Sequence, residues 1–456
     1  MAPVRIQGHK LMMLAREIIR RDSTNRRGTW PLAEFVGSEL RARGFDVSYQ
    51  KVRYNGCLQA NLIAHKPGAA ERGLLINTHL DTVTTDPHRW TRTGGNPFQP
   101  TLHKGRLYGL GAADTKTAMA SQLIALDSLK LTKLKCPLWL TGTYGEEMGL
   151  IGVQKLIRER SIKPAYILNT EPTELMPVKG NYGYRIYRLA GFQFRRSALA
   201  GYVHHIHFQG RAAHSATPSR GRNAIWQAWR WLRTQGQDSV VLSMQGGVAP
   251  NIVAADCWLE VLSPQARPKN LRTFGGKILS SEFVSQLRAC PEMSLRLRQV
   301  PIDLLALNNK RETSNCGQIL YGLGQFEWTV SHRFAPGIDP EQRYLLWKKR
   351  FRGLSGAGAY LSLSIVKSNE AFQQNTSCRL VKQVRSTLKE MRRPTKMLLR
   401  PGCTEAGLLA RLGGDVITIG PGEAYGNIHE PNESVQQKEL KAAVVLYSKL
   451  IERICL

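Results

Sequence analysis

His79 and Asp81 stand two residues apart, just after the apolar run Leu74-Leu75-Ile76. A histidine there can cap a strand end. It can also ligate a metal, with its ring oriented by the neighbouring carboxylate, as metal sites commonly arrange it. Alone, the pair favours the local structural role, because isolated histidines are usually structural. Four further stretches change that balance. "GLGAADTK" gives Asp114 just before a helix, and "TYGEEMGLIG" gives adjacent Glu146 and Glu147 after an apolar strand. "ILNTEPTE" gives Glu171, again after a strand, and "GNIHEPNE" gives His429. Each has an ordinary explanation: a helix N-cap, solvated surface, a loop charge, a turn residue. Together, two histidines and three carboxylates make a set suited to two divalent, zinc-like ions, with one carboxylate bridging. Adjacent strand residues point apart, so one glutamate of the pair can bind metal while the other faces substrate as a proton shuttle.

The elements that must position these residues alternate. Residues 1–189 contain short apolar runs ending in polar residues, "GLLINTHL", "PLWLTGTYG" and "PAYILNTEP", interleaved with helical segments such as "ADTKTAMASQLIALDSLK". That alternation predicts a mostly parallel α/β sheet whose strand ends form the natural site. From 190 to 372 the texture changes to strand-like "GYVHHIHFQG", helical "NAIWQAWRWLRTQ" and stretches punctuated by Gly and Pro. Residues 373–456 return to helix, strand and a terminal helix. The expected architecture is an α/β catalytic domain in two parts, 1–189 and 373–456, interrupted by an inserted α+β domain over 190–372.

A chain of 456 residues suits two domains, and 42% hydrophobic with 21% charged residues is ordinary for a soluble protein. No apolar run reaches the length of a membrane span. "HKLMMLAREIIRR" already has helical spacing, which leaves no secretory segment before it, so a cytoplasmic location is expected. Eight cysteines without CxxC or CxH spacing form neither a disulfide framework nor a zinc finger, and point to free thiols in a reducing compartment. The net charge of +30 invites a nucleic-acid reading. However, the basic residues are spread along the whole chain, with no basic tail and no nucleic-acid motif. A general adaptation of the surface is the better account.

With these residues in place, the chain resembles the co-catalytic metallopeptidases and amidohydrolases that include acetylornithine deacetylase, succinyl-diaminopimelate desuccinylase, aminoacylase-1 and carboxypeptidase G. The resemblance runs from the first helix to the last and is weakest between about 265 and 370. It is carried by His79-Leu80-Asp81-Thr82-Val83, Trp90, Pro97-Phe98, Gly105 to Gly109, and Asp114-Thr115-Lys116. It continues through Glu146-Glu147-Met148-Gly149, Glu171-Pro172-Thr173 and, in the insert, Gly210 to Ser215, Pro218, Gly221 and Asn223-Ala224-Ile225. Gly420-Pro421-Gly422, His429 and Asn432-Glu433 complete it.

The resemblance implies a zinc-peptidase-like catalytic domain with an inserted lid and dimerisation domain, and two zinc ions per subunit, with cobalt or manganese as substitutes. Asp114 would bridge the ions, one also taking His79 and Glu171, the other Glu147 and His429. Asp81 would orient His79, and Glu146 would be the general base toward a metal-bridging water. His214 would reach a partner subunit's site and stabilise the oxyanion. Asn251, in Asn251-Ile252-Val253, is the substrate-binding candidate. His204, His205 and His207 have no counterpart and are read as a sheet face. Two departures bear on substrate. The arginine expected after Asn251 is absent where the chain reads "WLEVLSP", with Arg267 three residues beyond Pro264, and the family's "G.TDA" is Gly402-Cys403-Thr404-Glu405-Ala406. The implied activity is hydrolysis of an amide bond, with an N-acyl amino acid as substrate and a homodimer as assembly. A dipeptidase or carboxypeptidase is the alternative, and behind it a catalytically silent binding or regulatory protein.

Overall fold

Strand Gly73–His79 is buried at every position, the mark of a parallel strand covered on both faces. It pairs in parallel with Leu138–Thr143 on one side and Pro164–Thr170 on the other, and Pro164–Thr170 pairs in parallel with Asp415–Thr418. His79 lies opposite Thr143, and Thr78 opposite Thr170. Parallel pairing therefore brings His79, the Glu146-Glu147 pair and Glu171 out at one end of the sheet, where open α/β sheets bind ligands.

The computed structural model describes residues 7–159, 162–300, 304, 307–356 and 358–456. It divides into a first unit of Met1–Asn181, Phe372–Arg400 and Thr404–Leu456, and a second of Tyr182–Ala371 with Pro401–Cys403. Tyr182 to Ala190 fall in the second unit because strand Gly183–Gln193 belongs to its sheet.

In the first unit the four parallel strands are flanked by antiparallel ones. Hairpin Asp46–Tyr54 and Cys57–Lys66 joins at Leu138–Thr143, while Val178–Asn181 and Phe372–Gln373 lie beyond Asp415–Thr418. The sheet is thus parallel at its centre and mixed overall. Helix Thr117–Asp127 is buried on nearly all sides, as expected of a helix with no polar face. Helices Gly8–Arg20 and Gln437–Cys455 pack against it. Their Leu11, Ile18, Leu440, Val444 and Ile451 join Leu123, Leu74 and Ile76 in one apolar core.

The second unit is built on an eight-stranded antiparallel sheet in the order Gly276–Ala289, Ser197–Gln209, Asp256–Ser263, Val240–Gly246, Glu312–Gly322, Gln325–Phe334, Gly183–Gln193 and Ala359–Asn369. Burial alternates along Gly183–Gln193, so one face meets the core and the other is more open. Trp229 and Trp231 of helix Ala224–Leu232, with Trp347 and Phe351 of helix Pro340–Arg352, fill that core. His204 is buried, whereas His205 and His207 lie on the opposite sheet face against Glu260 at 3.2 Å and Asp256 at 2.9 Å. Among the described residues, no helix is long and apolar enough to cross a membrane.

Candidate metal centre

Asp114 lies between two imidazoles. Its Oδ1 is 3.1 Å from His79 Nε2 and its Oδ2 is 3.1 Å from His429 Nε2. Glu147 Oε1 is 2.8 Å from the same His429 nitrogen. Two triads result, His79 with Asp114 and Glu171, and Asp114 with Glu147 and His429, each with its ligand atoms within 4.8 Å of one another. Asp114 belongs to both. All five candidate ligands meet here although they come from five separate stretches of chain.

The supports are local. The main-chain amides of Ala113 and Asp114 donate to Glu433 Oε1 at 2.8 and 2.9 Å. The Asp114–Thr115 peptide is cis. His429 has a φ of 60°, a left-handed conformation costing a non-glycine residue about 1–2 kcal/mol and typically retained only where function requires it. Asp81 acts in two ways. Its main-chain carbonyl accepts from His79 Nδ1 at 3.0 Å, while its carboxylate is 3.7 Å from that nitrogen. That carboxylate instead accepts the amides of Glu146 and Glu147, at 3.0 and 3.1 Å. With Nδ1 as donor, Nε2 carries the free lone pair that ligation needs.

Charge crowding dominates the electrostatics. Burial, followed by repulsion from Glu171 and Glu147, lifts the Glu146 carboxyl well above its ordinary range. Burial lifts Glu171 to about 7 although Arg400 beside it works the other way, its Nη1 donating to Glu171 Oε2 at 3.2 Å. Burial also disfavours charged imidazoles, yet Glu147 and Asp114 raise His429 to about 12, and the bonds to Asp114 and Asp81 raise His79 well above its usual value. Those two imidazoles hold Asp114 far below the normal carboxylate range, overcoming its burial. The carboxylates thus recruit protons onto the imidazoles for want of stronger cations. A mixed set of nitrogen and oxygen donors, concentrated in negative charge and sharing one carboxylate, fits a pair of divalent ions.

Three contributors have no assigned role in the sequence reading, although two of them, Glu405 and Glu433, stand in its motifs. Glu405 is 1% exposed, and its Oε2 accepts from Asn77 Nδ2 at 2.7 Å and Thr143 Oγ1 at 2.8 Å. Asn77 also donates to Asn169 Oδ1 at 3.1 Å, so Glu405 ties together the three strands that deliver His79, Glu146-Glu147 and Glu171. Arg400 supplies the local positive charge described above. Glu433 was legible only as part of a motif. The acidic residue in "CTEA" was a signal for Glu405, whereas nothing in the spacing marked Arg400.

In the second unit, the Ser215 amide donates to the Asn251 carbonyl at 2.8 Å, and His214 bridges to Ile252, so His214 and Asn251 are on neighbouring segments. His214 is exposed, and its Nδ1 accepts from the Ala216 amide at 3.1 Å. Arg333 is buried beside them, its Nη2 donating to Ser215 Oγ at 3.3 Å and its guanidinium 4.7 Å from the Tyr184 ring centre. Its Nε has no hydrogen-bond partner, and burial lowers its pKa. Arg267, by contrast, is exposed in a bend.

A family model described as "Peptidase family M20/M25/M40" matches residues 75–453. Acetylornithine deacetylase of Erwinia tasmaniensis is 32% identical over 220 residues, which is 48% of this chain and about half, 52%, of that relative's length. Two solved structures are similar along nearly the full length. Aminoacylhistidine dipeptidase from Vibrio alginolyticus has a TM-score of 0.71 at 18% identity, covering 98% of this chain and 97% of that one. A metallo-carboxypeptidase from Sulfolobus solfataricus has a TM-score of 0.62 at 17% identity, covering 97% and 98%.

Glu147 and Asp114 favour the protonated form of His429, and Asp114 and Asp81 that of His79, so cation uptake should displace protons. Titrating zinc into the metal-free protein near neutral pH in weak buffer should release on the order of two protons per chain. His429→Ala should release about one fewer. Uptake without proton release, read with a pH indicator, would show that the imidazoles do not ligate.

Proposed function

The chain belongs to peptidase family M20/M25/M40, and from that premise we propose a metal-dependent hydrolase that cleaves the amide bond of an N-acyl amino acid. The observation that carries the reading is Asp114 placed between His79 and His429, with the Glu146 backbone fixed by the Asp81 carboxylate. Identity to acetylornithine deacetylase supports the deacylase reading. The second reading, a dipeptidase or carboxypeptidase, is favoured by the full-length likeness to structures with those names.

His79, Asp114 and Glu171 would hold one zinc ion, and Asp114, Glu147 and His429 the other. Divalent cations bound there supply Lewis acidity, lowering the pKa of water toward neutrality and polarising the scissile carbonyl. Glu146 takes the proton of the attacking water on its carboxylate and returns it to the leaving nitrogen. A carboxyl whose pKa is raised by burial is suited to hold that proton between the two steps. Asp81 fixes the backbone of both glutamates, which lets the adjacent side chains diverge in role. His214, whose Nδ1 accepts from the Ala216 amide, serves as a donor to the developing oxyanion. Arg333, rather than Arg267, grips the substrate carboxylate, because its guanidinium is buried with donor capacity unused. Asn251 lines the same substrate region. The assembly is a homodimer formed through the second unit. Its edge strand Gly276–Ala289 is exposed over most of its length, including Leu279 and Phe283, and an open edge of that kind invites pairing.

Chelation should abolish activity, and elemental analysis of active protein should find divalent metal. Glu146→Gln should keep its metal and lose about 10² or more in turnover, whereas Glu147→Gln should lose metal. Equal metal loss in both variants would reverse the assignment. Among N-acyl amino acids and dipeptides with a free carboxylate, Arg333→Met should raise KM by about tenfold or more with little change in kcat. Carboxamide analogues should not distinguish variant from parent, and an unchanged KM for the acids would remove Arg333 from the site. If His214 works across the dimer, mixing His214→Ala chains with Glu146→Gln chains should restore activity once subunit exchange is verified. Verified mixed dimers without recovery would place His214 in its own chain's site or outside the mechanism.

A further inference from the structure

Cys136 precedes strand Leu138–Thr143, and Cys455 ends helix Gln437–Cys455. Their sulphurs lie 3.6 Å apart, although 318 residues separate them in sequence. Both backbones are held in place. The Lys135 amide donates to the Cys455 carbonyl at 2.7 Å, and the amides of Ala69 and Ala70 donate to Leu134 and Lys135, each at 2.9 Å. Sulphurs 3.6 Å apart, on backbones hydrogen-bonded one residue away, need to close by only about 1.5 Å to reach disulfide length.

We infer that Cys136 and Cys455 are a built-in pair for disulfide formation under peroxide, fastening the last helix to the segment that leads into the central sheet. The shared hydrogen bond pushes the Cys136 thiol down to about 7, making it the nucleophile of the pair. Cys136 is 8% exposed, so a small oxidant reaches it first. Its sulphur attacks hydrogen peroxide: an S–O bond forms, the O–O bond breaks, and the departing hydroxide takes up a proton as water. Cys455 sulphur then attacks the Cys136 sulphenic acid. An S–S bond forms, the S–O bond breaks, and the hydroxide leaves as water with the Cys455 proton. Two thiols and one peroxide thus give one disulfide and two waters.

The fastened helix is a main support of the first unit. Its Glu439 Oε2 accepts the Gly422 amide at 2.9 Å, on the loop leading to His429, and its Leu440 carbonyl accepts from Ser121 at 3.0 Å. Neither cysteine is among the candidate ligands, so the link should strengthen the unit without altering turnover.

The test treats the unaltered, metal-loaded protein with stoichiometric hydrogen peroxide and maps its peptides without reduction. The expected result is a Cys136–Cys455 linked peptide and an unfolding midpoint higher by about 5 °C, reversed by dithiothreitol, with turnover unchanged within about twofold. Cys136→Ser and Cys455→Ser should each abolish both the link and the shift. The map is read on unaltered protein, so it stands even if a variant folds poorly. Sulphinic acid at Cys136 with no linked peptide, or a link with no change in midpoint, would overturn the inference.

Discussion

The first unit is organised around a concentration of negative charge kept out of water. Asp114, Glu171, Glu405 and Glu433 are all buried, with Glu146 and Glu147 beside them. An ionised carboxylate without compensation in such a place is costly by many kcal/mol, and the usual response is to neutralise or to find a partner. Both responses are visible. Glu146, Glu171, Glu405 and Glu433 are pushed toward the protonated form, while His79 and His429 are pushed toward the charged form. Among the described residues, only Arg400 supplies a permanent charge to a ligand carboxylate directly. A site that must borrow protons in this way is one that divalent cations would relieve. The fold expends strain at His429 and buried polar groups at Asn77, Asn169 and Thr143 to keep it assembled.

That requirement accounts for the layout beneath the ligands. A central strand such as Gly73–His79 would ordinarily be apolar throughout, yet it carries Asn77 and Thr78 in full burial. Asn77 uses both amide hydrogens, on Asn169 and Glu405, and its oxygen accepts from Thr141 at 2.7 Å. Thr78 and Thr170 both accept from Gln122 of the buried helix, at 2.8 and 3.1 Å. These bonds cross strand boundaries one or two residues before the ligands and fix their relative heights. Asn77 is satisfied at every polar atom, while Asn169 Nδ2 and Glu405 Oε1 are left without partners, and a hydrogen-bonded layer of this kind specifies one arrangement more sharply than an apolar one.

The sequence made His79, the Glu146-Glu147 pair and Glu171 legible because each follows an apolar run in a chain whose alternation already implied parallel strands, whereas Asp114 and His429 stood out only within their motifs. The Asn55-Gly56 turn of the outer hairpin carries a local signal that went unread, and both residues have positive φ, as a two-residue hairpin turn favours. What remained hidden was long-range pairing. Glu405 meets Asn77 across 328 residues, and no periodicity in one sequence records that. Arg333 was missed for a different reason. The resemblance points to an arginine shortly after Asn251, along strand Asp256–Ser263, whereas the buried one is on Gln325–Phe334, three strands further across a sheet of eight. "FEWTVSHRF" did carry a signal, an arginine inside a strand-like run flanked by apolar and aromatic residues, a setting in which arginine is rarely left without a purpose. The outer antiparallel strands were likewise beyond a reading based on alternation, since edge pairing depends on which faces remain uncovered after the centre has formed.

The charge of +30 looks at odds with a site built to receive cations, and distance resolves the conflict. At physiological ionic strength the Debye length is about 8 Å, so exposed lysines and arginines on the far surface scarcely act on the two triads, one buried and the other open at His429. The carboxylates of the triads, whose ligand atoms lie within 4.8 Å of one another, act on a bound cation at close range and in poorer solvent. Local geometry therefore sets metal affinity, while the summed surface charge acts earlier, on encounter. An N-acyl amino acid or a peptide terminus brings a carboxylate, and a positive surface concentrates such anions near the protein when salt is low. The same chain can thus be basic toward an anionic ligand at long range and acidic toward divalent cations at short range, because water and salt separate the two length scales.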